Sequence, residues 1–178
     1  TRLRSLTGPR HQRLYLGEWG SAEGLIYPGY DQAVHRCALR SSEDDGLPRD
    51  ALGVLTCANY FGSIDWGSAN PGCLQVWGVD GFGRLYRVAE VYRRSQDLDW
   101  WAETVYELHE AYRMQTIVCD HDLLAIDTLN RRMHERFGRS LAVPAQKFSR
   151  TFSKTAGWDL VRQAMATGED GVPGLLFC

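Results

Sequence analysis

Three strand-like runs follow one another between Leu52 and Tyr92, and the first ends on a single carboxylate, Asp65. The run "LGVLTCANYFGSID" is strand-rich, and "CLQVWGV" (Cys73–Val79) and "RLYRVAEVY" (Arg84–Tyr92) are β-type runs separated by "DGFG". Asp-Gly between two such runs is a strong hairpin signal, so this part of the chain is held to an antiparallel meander. A buried carboxylate survives in a fold only when it is paired, hydrogen-bonded or bound to a metal. Asp65 is therefore the residue the rest of the chain has to explain.

Downstream the pattern alternates. "DLDWWAETVYELHEAYR" (Asp97–Arg113) places Trp101, Val105, Leu108 and Tyr112 at helical spacing, with Asp97 or Asp99 near the N-cap. "TIVCD" (Thr116–Asp120) reads as a short buried strand, and "LLAIDTLNRRMHERFG" (Leu123–Gly138) as an amphipathic helix stopped by Gly138. "SLAVPA" reads as a further strand, Gly157–Gly168 as a helix and Gly174–Cys178 as a final strand. The order β-β-β-α-β-α-β-α-β predicts an α/β fold, a mixed sheet whose antiparallel meander is followed by parallel strands and flanked by helices. Ligands in such sheets sit beyond the carboxyl ends of parallel strands. Asp65 ends the first strand and Asp120 the fourth, so neighbouring placement of those strands brings two carboxylates together.

Bulk properties narrow the field. The 178 residues are 44% hydrophobic and 24% charged, which suits one globular domain with a proper core. No apolar run of about 18 residues is present, which excludes a membrane-spanning helix. The five cysteines, Cys37, Cys57, Cys73, Cys119 and Cys178, form no CxxC, and the odd, scattered set predicts reduced thiols and argues against a zinc site or a disulfide framework. Net charge is −2, yet Arg131 to Arg162 carries eight Lys and Arg against Glu135 and Asp159. Such a stretch is either a solvated basic face or a phosphate-facing surface beside an acidic centre. Residues 1–50, with Gly8-Pro9, Pro28-Gly29 and the polar "SSEDDGLPRD", read as a connecting arm with short strands, and 51–178 as the domain.

Two adjacent carboxylates repel unless a proton or a cation intervenes. Mg²⁺ takes one or two carboxylates plus water and phosphate oxygens, and two such ions about 4 Å apart clamp the attacking and leaving oxygens of a phosphodiester. In that chemistry Asp65 bridges two ions, Asp120 holds one, and a third acid usually completes the set. The opposing reading makes Asp65 a strand-end cap and Asp120 the N-cap of the following helix.

The stretch "GSIDWGSANPGCLQVWGVDGFGRLYRVAEVYRR", followed by "TIVCDHDLLAIDTL", resembles the C-terminal nuclease domain of phage terminase large subunits, the motor-nucleases that package viral DNA. The shared pattern is a strand ending in Gly-x-Asp-x-Gly, a hairpin, a third strand with Glu-Tyr-Tyr-like residues and a later strand ending in Asp. "RLYLGEWGSAEGLIYPGY" also resembles the segment joining that family's ATPase domain to its nuclease, so the resemblance covers nearly the whole chain.

It implies an RNase H-like fold and a metal-dependent endonuclease using Mg²⁺ or Mn²⁺ in a two-metal site. Double-stranded DNA is the implied substrate, cut from concatemers during genome packaging. Asp65 and Asp120 are the implied catalytic and metal-binding acids. The third acid is expected in a segment following Cys178, so the chain reads as a fragment truncated at its C-terminus. Glu90 and Asp122 are auxiliary candidates, the first as a group orienting a neighbour and the second as a helix cap. Arg136, Arg139, Lys147, Arg150 and Lys154 are the implied DNA-binding residues. An ATPase domain, a portal and a small terminase subunit are the implied partners, and the cytoplasm of an infected bacterial host is the implied location. No GxxxxGK[ST] motif is present, so this chain does not carry the motor.

Three other classes compete. "IDWGSANPGCLQVW" also resembles the first phosphate loop of actin, Hsp70 and sugar kinases, but these need a duplicated domain and further Gly-rich loops. Another RNase H-like enzyme, a resolvase or a transposase, lacks the joining segment. A DNA- or portal-binding module without catalysis has no need of Asp65 and Asp120. His121 is weighed as an acid or base against an ordinary exposed strand-end histidine, and Gly67 as the small residue that lets backbone or phosphate come close.

Overall fold

The computed structural model describes residues 26–67, 70–144 and 154–178. Lys147 and Arg150 lie outside the described residues. The chain runs through a short helix α1 (Gln32–His35), then β1 (Asn59–Asp65), β2 (Gly72–Val79), β3 (Leu85–Arg93), α2 (Leu98–Tyr112), β4 (Ile117–Cys119), α3 (Leu123–Phe137), β5 (Ala142–Pro144), α4 (Lys154–Met165) and β6 (Leu175–Phe177). Apart from α1, this is the element order expected from the sequence. Among the described residues no helix is long and apolar enough to cross a membrane.

The six strands form one mixed sheet in the order β5-β4-β1-β2-β3-β6. The meander β1-β2-β3 is antiparallel, whereas β4 joins β1, β5 joins β4 and β6 joins β3 in parallel. This mixed α/β arrangement is consistent with an RNase H-like fold. The parallel pairs follow from crossover through a helix, which returns the chain in the same direction. Each helix is set by local chemistry. Asp97 caps α2 by accepting from Trp100 N–H at 2.8 Å, and Asp122 caps α3 by accepting from Leu124 and Ala125 N–H at 3.1 Å each. Gly138 ends α3 in the left-handed conformation, φ 69°.

One face of the sheet is covered. Leu74, Val76, Ile64, Ile117 and Cys119 point to it and pack in a single core with Trp101, Val105 and Tyr106 of α2 and Ile126, Leu129 and Met133 of α3. The expected seam on α2 is shifted: Trp101 and Val105 are buried as the spacing predicts, but Ala102, Tyr106 and His109 complete the buried stripe, and Leu108 and Tyr112 flank it.

The cysteines correct an expectation. Cys37 and Cys178, 141 residues apart, form a disulfide with their Cα atoms 4.5 Å apart. β6 lies beside β3, and Arg36 in turn bridges to Phe177 while Cys37 N–H donates to its carbonyl at 3.0 Å. That pairing brings a residue of the arm beside the last strand, a long-range contact that cysteine count and spacing do not encode. Cys57, Cys73 and Cys119 are free.

Candidate active site: two acids at the end of adjacent parallel strands

The register of β1 against β4 decides where the acids go. Gly62 pairs with Ile117, Ser63 with Val118 and Ile64 with Cys119. Paired residues of parallel strands face the same side, and sides alternate along each strand. Ile64 and Cys119 are buried against the helices, so Asp65 and Asp120, one step further, emerge on the opposite, open face with Ser63 and Val118. The ladder continues through Asp120 N–H, which donates to the Ile64 carbonyl at 2.8 Å. Neighbouring strands lie about 4.8 Å apart, so the two acids stand side by side. Both are exposed, and together with Ser63, Cys73, Gln75 and Val118 they line a hollow of about 310 Å³.

Local backbone geometry holds each carboxylate. Asp65 Oδ1 accepts from Gly67 N–H at 3.2 Å, and Asp120 Oδ1 accepts from His121 N–H at 2.7 Å. Gly67 sits at φ 57°, and a Cβ there would come within 2.5 Å of the Pro71 carbonyl carbon. Glycine is thus required by conformation and by space where the chain leaves β1. His121 and Asp122 are exposed, and Asp122 is engaged as the cap of α3, which agrees with its reading as a cap.

Glu90 is placed by a β-bulge that the sequence does not announce. Val76 pairs with Ala89 but Trp77 pairs with Arg87, which leaves Val88 as the extra residue. Strict alternation puts Glu90 on the same face as Val88 and Tyr92. The bulge corrects half of this: Val88 is buried in the core, whereas Glu90 and Arg87 meet on the open face, with Arg87 Nη1 2.7 Å from Glu90 Oε2. Glu90 Oε2 also accepts from Gln75 Nε2 at 2.7 Å. A row of paired residues, Val118–Ser63–Gln75–Glu90, therefore crosses four strands, and its three polar members join Glu90 to the acid hollow through Gln75. Sequence reasoning missed Gln75 and Ser63. The one available signal was a lone amide within the apolar run "CLQVWGV".

Oxygen donors and two thiols line the hollow alongside apolar side chains. Burial pushes the Cys73 thiol up, with the negative charges of Glu90 and Asp65 adding to the effect, and burial alone pushes the Cys119 thiol up to about 12. Burial thus disfavours the thiolate at both positions, which weighs against either thiol as the nucleophile. Two carboxylates plus the Gln75 amide and the Ser63 hydroxyl fit a hard divalent cation such as Mg²⁺ or Mn²⁺. Among the described residues no group of three His, Cys, Asp or Glu is assembled for a metal, so a cation here would have two acids and the neutral oxygens beside them as its protein donors.

In the Arg40–Gly53 loop the acids Asp45 and Asp50 are already committed. A larger hollow of about 810 Å³ is lined by the Arg40–Gly53 loop. There Asp45 pairs with Arg49 at 2.6 Å, and that hydrogen bond holds its carboxyl below the usual carboxylate range. Asp50 accepts from Leu52 and Val54 N–H at 2.8 and 2.9 Å. Arg132 and Arg136 are placed apart from the acid pair. Arg132 pairs with Asp99, and Arg136 pairs with Glu103 at 3.2 Å and lies over the Tyr106 ring at 4.6 Å. Both sit on the helix layer, on the other side of the sheet from Asp65 and Asp120. Arg139 is exposed just past α3, and Lys154 is the first residue of α4.

Solved structures of the large terminase from a thermophilic bacteriophage are similar to this chain. One crystal form aligns with 19% identity and a TM-score of 0.55, and the ADP complex with 20% identity and a TM-score of 0.57. Each alignment covers 99% of this chain and 39% of the terminase. The likeness shows a terminase-like fold, and the chain spans about 39% of the length of those terminases. No protein-family model matches the chain, and no curated protein matches it.

Proposed function

We propose that this chain is the RNase H-like nuclease unit of a viral DNA-packaging large terminase, a metal-dependent endonuclease that cuts concatemeric double-stranded DNA. The observation that carries the reading is the emergence of Asp65 and Asp120 side by side from adjacent parallel strands into one open hollow. A terminase-like fold across 99% of the chain supports it.

Asp65 and Asp120 would hold Mg²⁺ or Mn²⁺, which when bound supplies an activated water and charge neutralisation at the phosphodiester. The chain's own part is to fix the donors. The Gly67 and His121 amides each occupy one oxygen of an acid, which sets the carboxylate planes and leaves the second oxygens to the hollow. Open exposure on this face lets a bulky polymer reach both acids. The reaction read from this site is direct hydrolysis with in-line attack, and burial of the Cys73 and Cys119 thiols, which disfavours the thiolate, supports it over a covalent intermediate. Residues 1–50 are the arm leading from an ATPase domain, with portal and small terminase subunit as partners of the longer protein in the cytoplasm of an infected bacterium.

Conversion of supercoiled plasmid to nicked and linear forms in Mn²⁺, then in Mg²⁺, tests the proposal. Cutting that disappears in Asp65→Asn and Asp120→Asn, with duplex binding retained, is the expected result. Wild-type cutting rates in Asp65→Asn would place the chemistry elsewhere.

A further inference from the structure

Glu90 is hydrogen-bonded to the lining of the acid hollow through Gln75, and that contact has a direction. Gln75 lies directly opposite Ser63 and diagonally across from Asp65, a separation within reach of a long side chain. Its amide carries two donor hydrogens on nitrogen and an acceptor on oxygen, and a carboxylate only accepts. The 2.7 Å bond to Glu90 Oε2 therefore commits the Gln75 nitrogen to Glu90. Among the described residues no donor reaches its amide oxygen, which leaves it as an acceptor on a residue that lines the hollow. Glu90 is itself fixed by Arg87 at 2.7 Å, and the Arg87 guanidinium lies over the Phe177 ring at 5.0 Å. The chain of contacts runs from the aromatic ring of β6 through three polar side chains to the edge of the acid pair.

We infer that Gln75 is a neutral oxygen ligand for a divalent cation held by Asp65 and Asp120, and that Glu90 is a positioning residue that fixes which end of the Gln75 amide faces that cation. The inference rests on the proposed metal-dependent reading of the acid pair. It assigns Glu90 an indirect role, because its Oε2 already accepts two charge-assisted or amide hydrogen bonds. It also explains how a two-acid hollow gains a further oxygen donor without a third repelling charge. Groups that orient a metal ligand are worth about 10–100-fold in affinity, so the effect lies within range of a binding measurement.

The test is Mn²⁺ affinity, read from the free-ion electron paramagnetic resonance signal and by calorimetry, with thermal melting recorded for each protein. Gln75→Leu and Glu90→Gln should each weaken Mn²⁺ binding by about 10-fold, and the double change Gln75→Leu/Glu90→Gln should be no weaker than Gln75→Leu alone. Exchanging the pair, Gln75→Glu with Glu90→Gln, keeps an amide-to-carboxylate bond and leaves a carboxylate oxygen toward the hollow. It should restore or exceed wild-type affinity, which a merely structural role of Glu90 would not do. Unchanged affinity in Gln75→Leu, alongside loss in Asp65→Asn, would overturn this inference and leave the acid pair standing. Additive losses in the double variant would overturn the claim that Glu90 acts through Gln75. Wild-type affinity in Asp65→Asn, or no saturable binding by the wild-type chain, would overturn the acid pair and this inference together.

Discussion

The two faces of the sheet are built from the same strands and do opposite work. On the covered face Leu74, Val76, Ile117 and Cys119 are fully buried beneath α2 and α3, and their contribution is stability. On the open face the alternating positions, Ser63, Asp65, Gln75 and Glu90, are polar and reachable, and the proposed function assigns the chemistry to them. A side-chain period of two makes this division possible, because a single strand carries both sets without either compromising the other. It also means that changes on one face should leave the other face's property nearly untouched, a separation that mutation can test.

The largest contrast is between Leu74→Ala and Asp65→Asn. Removing a fully buried leucine should destabilise the domain by about 2–5 kcal/mol, seen as a clear drop in the denaturant midpoint. Asp65→Asn on the exposed edge should change stability by less than about 0.5 kcal/mol while abolishing cutting and Mn²⁺ binding. Comparable stability losses in the two variants would break the comparison.

A boundary position should show both effects. Gly67→Ala places a Cβ against the Pro71–Gly72 backbone at a positive φ, with an expected loss of about 1–3 kcal/mol. Because the Gly67 amide holds Asp65, metal affinity should fall with it. A normally stable Gly67→Ala protein with wild-type affinity would show that the turn after β1 does not set the acid.

His109 supplies a pH-dependent effect confined to the covered side. It is buried on α2 beside Phe137, and burial, with Arg139 and Arg113 adding, lowers its pKa from the ordinary 6.5. The unfolded chain therefore takes up this proton first as pH falls. The stability linked to His109 is fully present above about pH 6.5 and is lost as pH drops through the lowered folded value. His109→Gln should flatten the pH dependence of unfolding in that window, and an unchanged slope would remove His109 from the account.

The smallest effect belongs to the basic stretch. Charge reversal at Arg136 and Arg139 should weaken binding of unrelated duplexes about equally and lessen the salt dependence. The loss should be modest, because Arg136 is already engaged by Glu103 and Tyr106. Sequence-selective loss, or none at low salt, would remove the helix layer from DNA contact.

What the sequence made legible was local or followed from chain direction. The hairpin at Asp80-Gly81, the cap of α3 and the Gly138 stop have short-range causes, whereas the adjacency of β4 and β1, which places Asp120 next to Asp65, was left open by the sequence and is fixed by a long-range pairing. The remainder depends on partners distant in the chain. The bulge at Val88 exists only relative to β2, and it alone carries Glu90 to Arg87 and Gln75. Asp99 and Glu103, each 33 residues before its arginine, neutralise part of a stretch that reads as basic on its own. The Cys37–Cys178 bond depends on the β3–β6 pairing, and Gln75 is a neutral residue whose place follows from register alone.

The most direct test of the central claim is the position of Mn²⁺ in crystals of the wild-type chain, located by anomalous scattering. The account predicts a peak on the open face, bonded to carboxylate oxygens of both Asp65 and Asp120 and absent from Asp65→Asn crystals. A peak elsewhere, for instance in the Arg40–Gly53 loop, with none between the two acids, would contradict it.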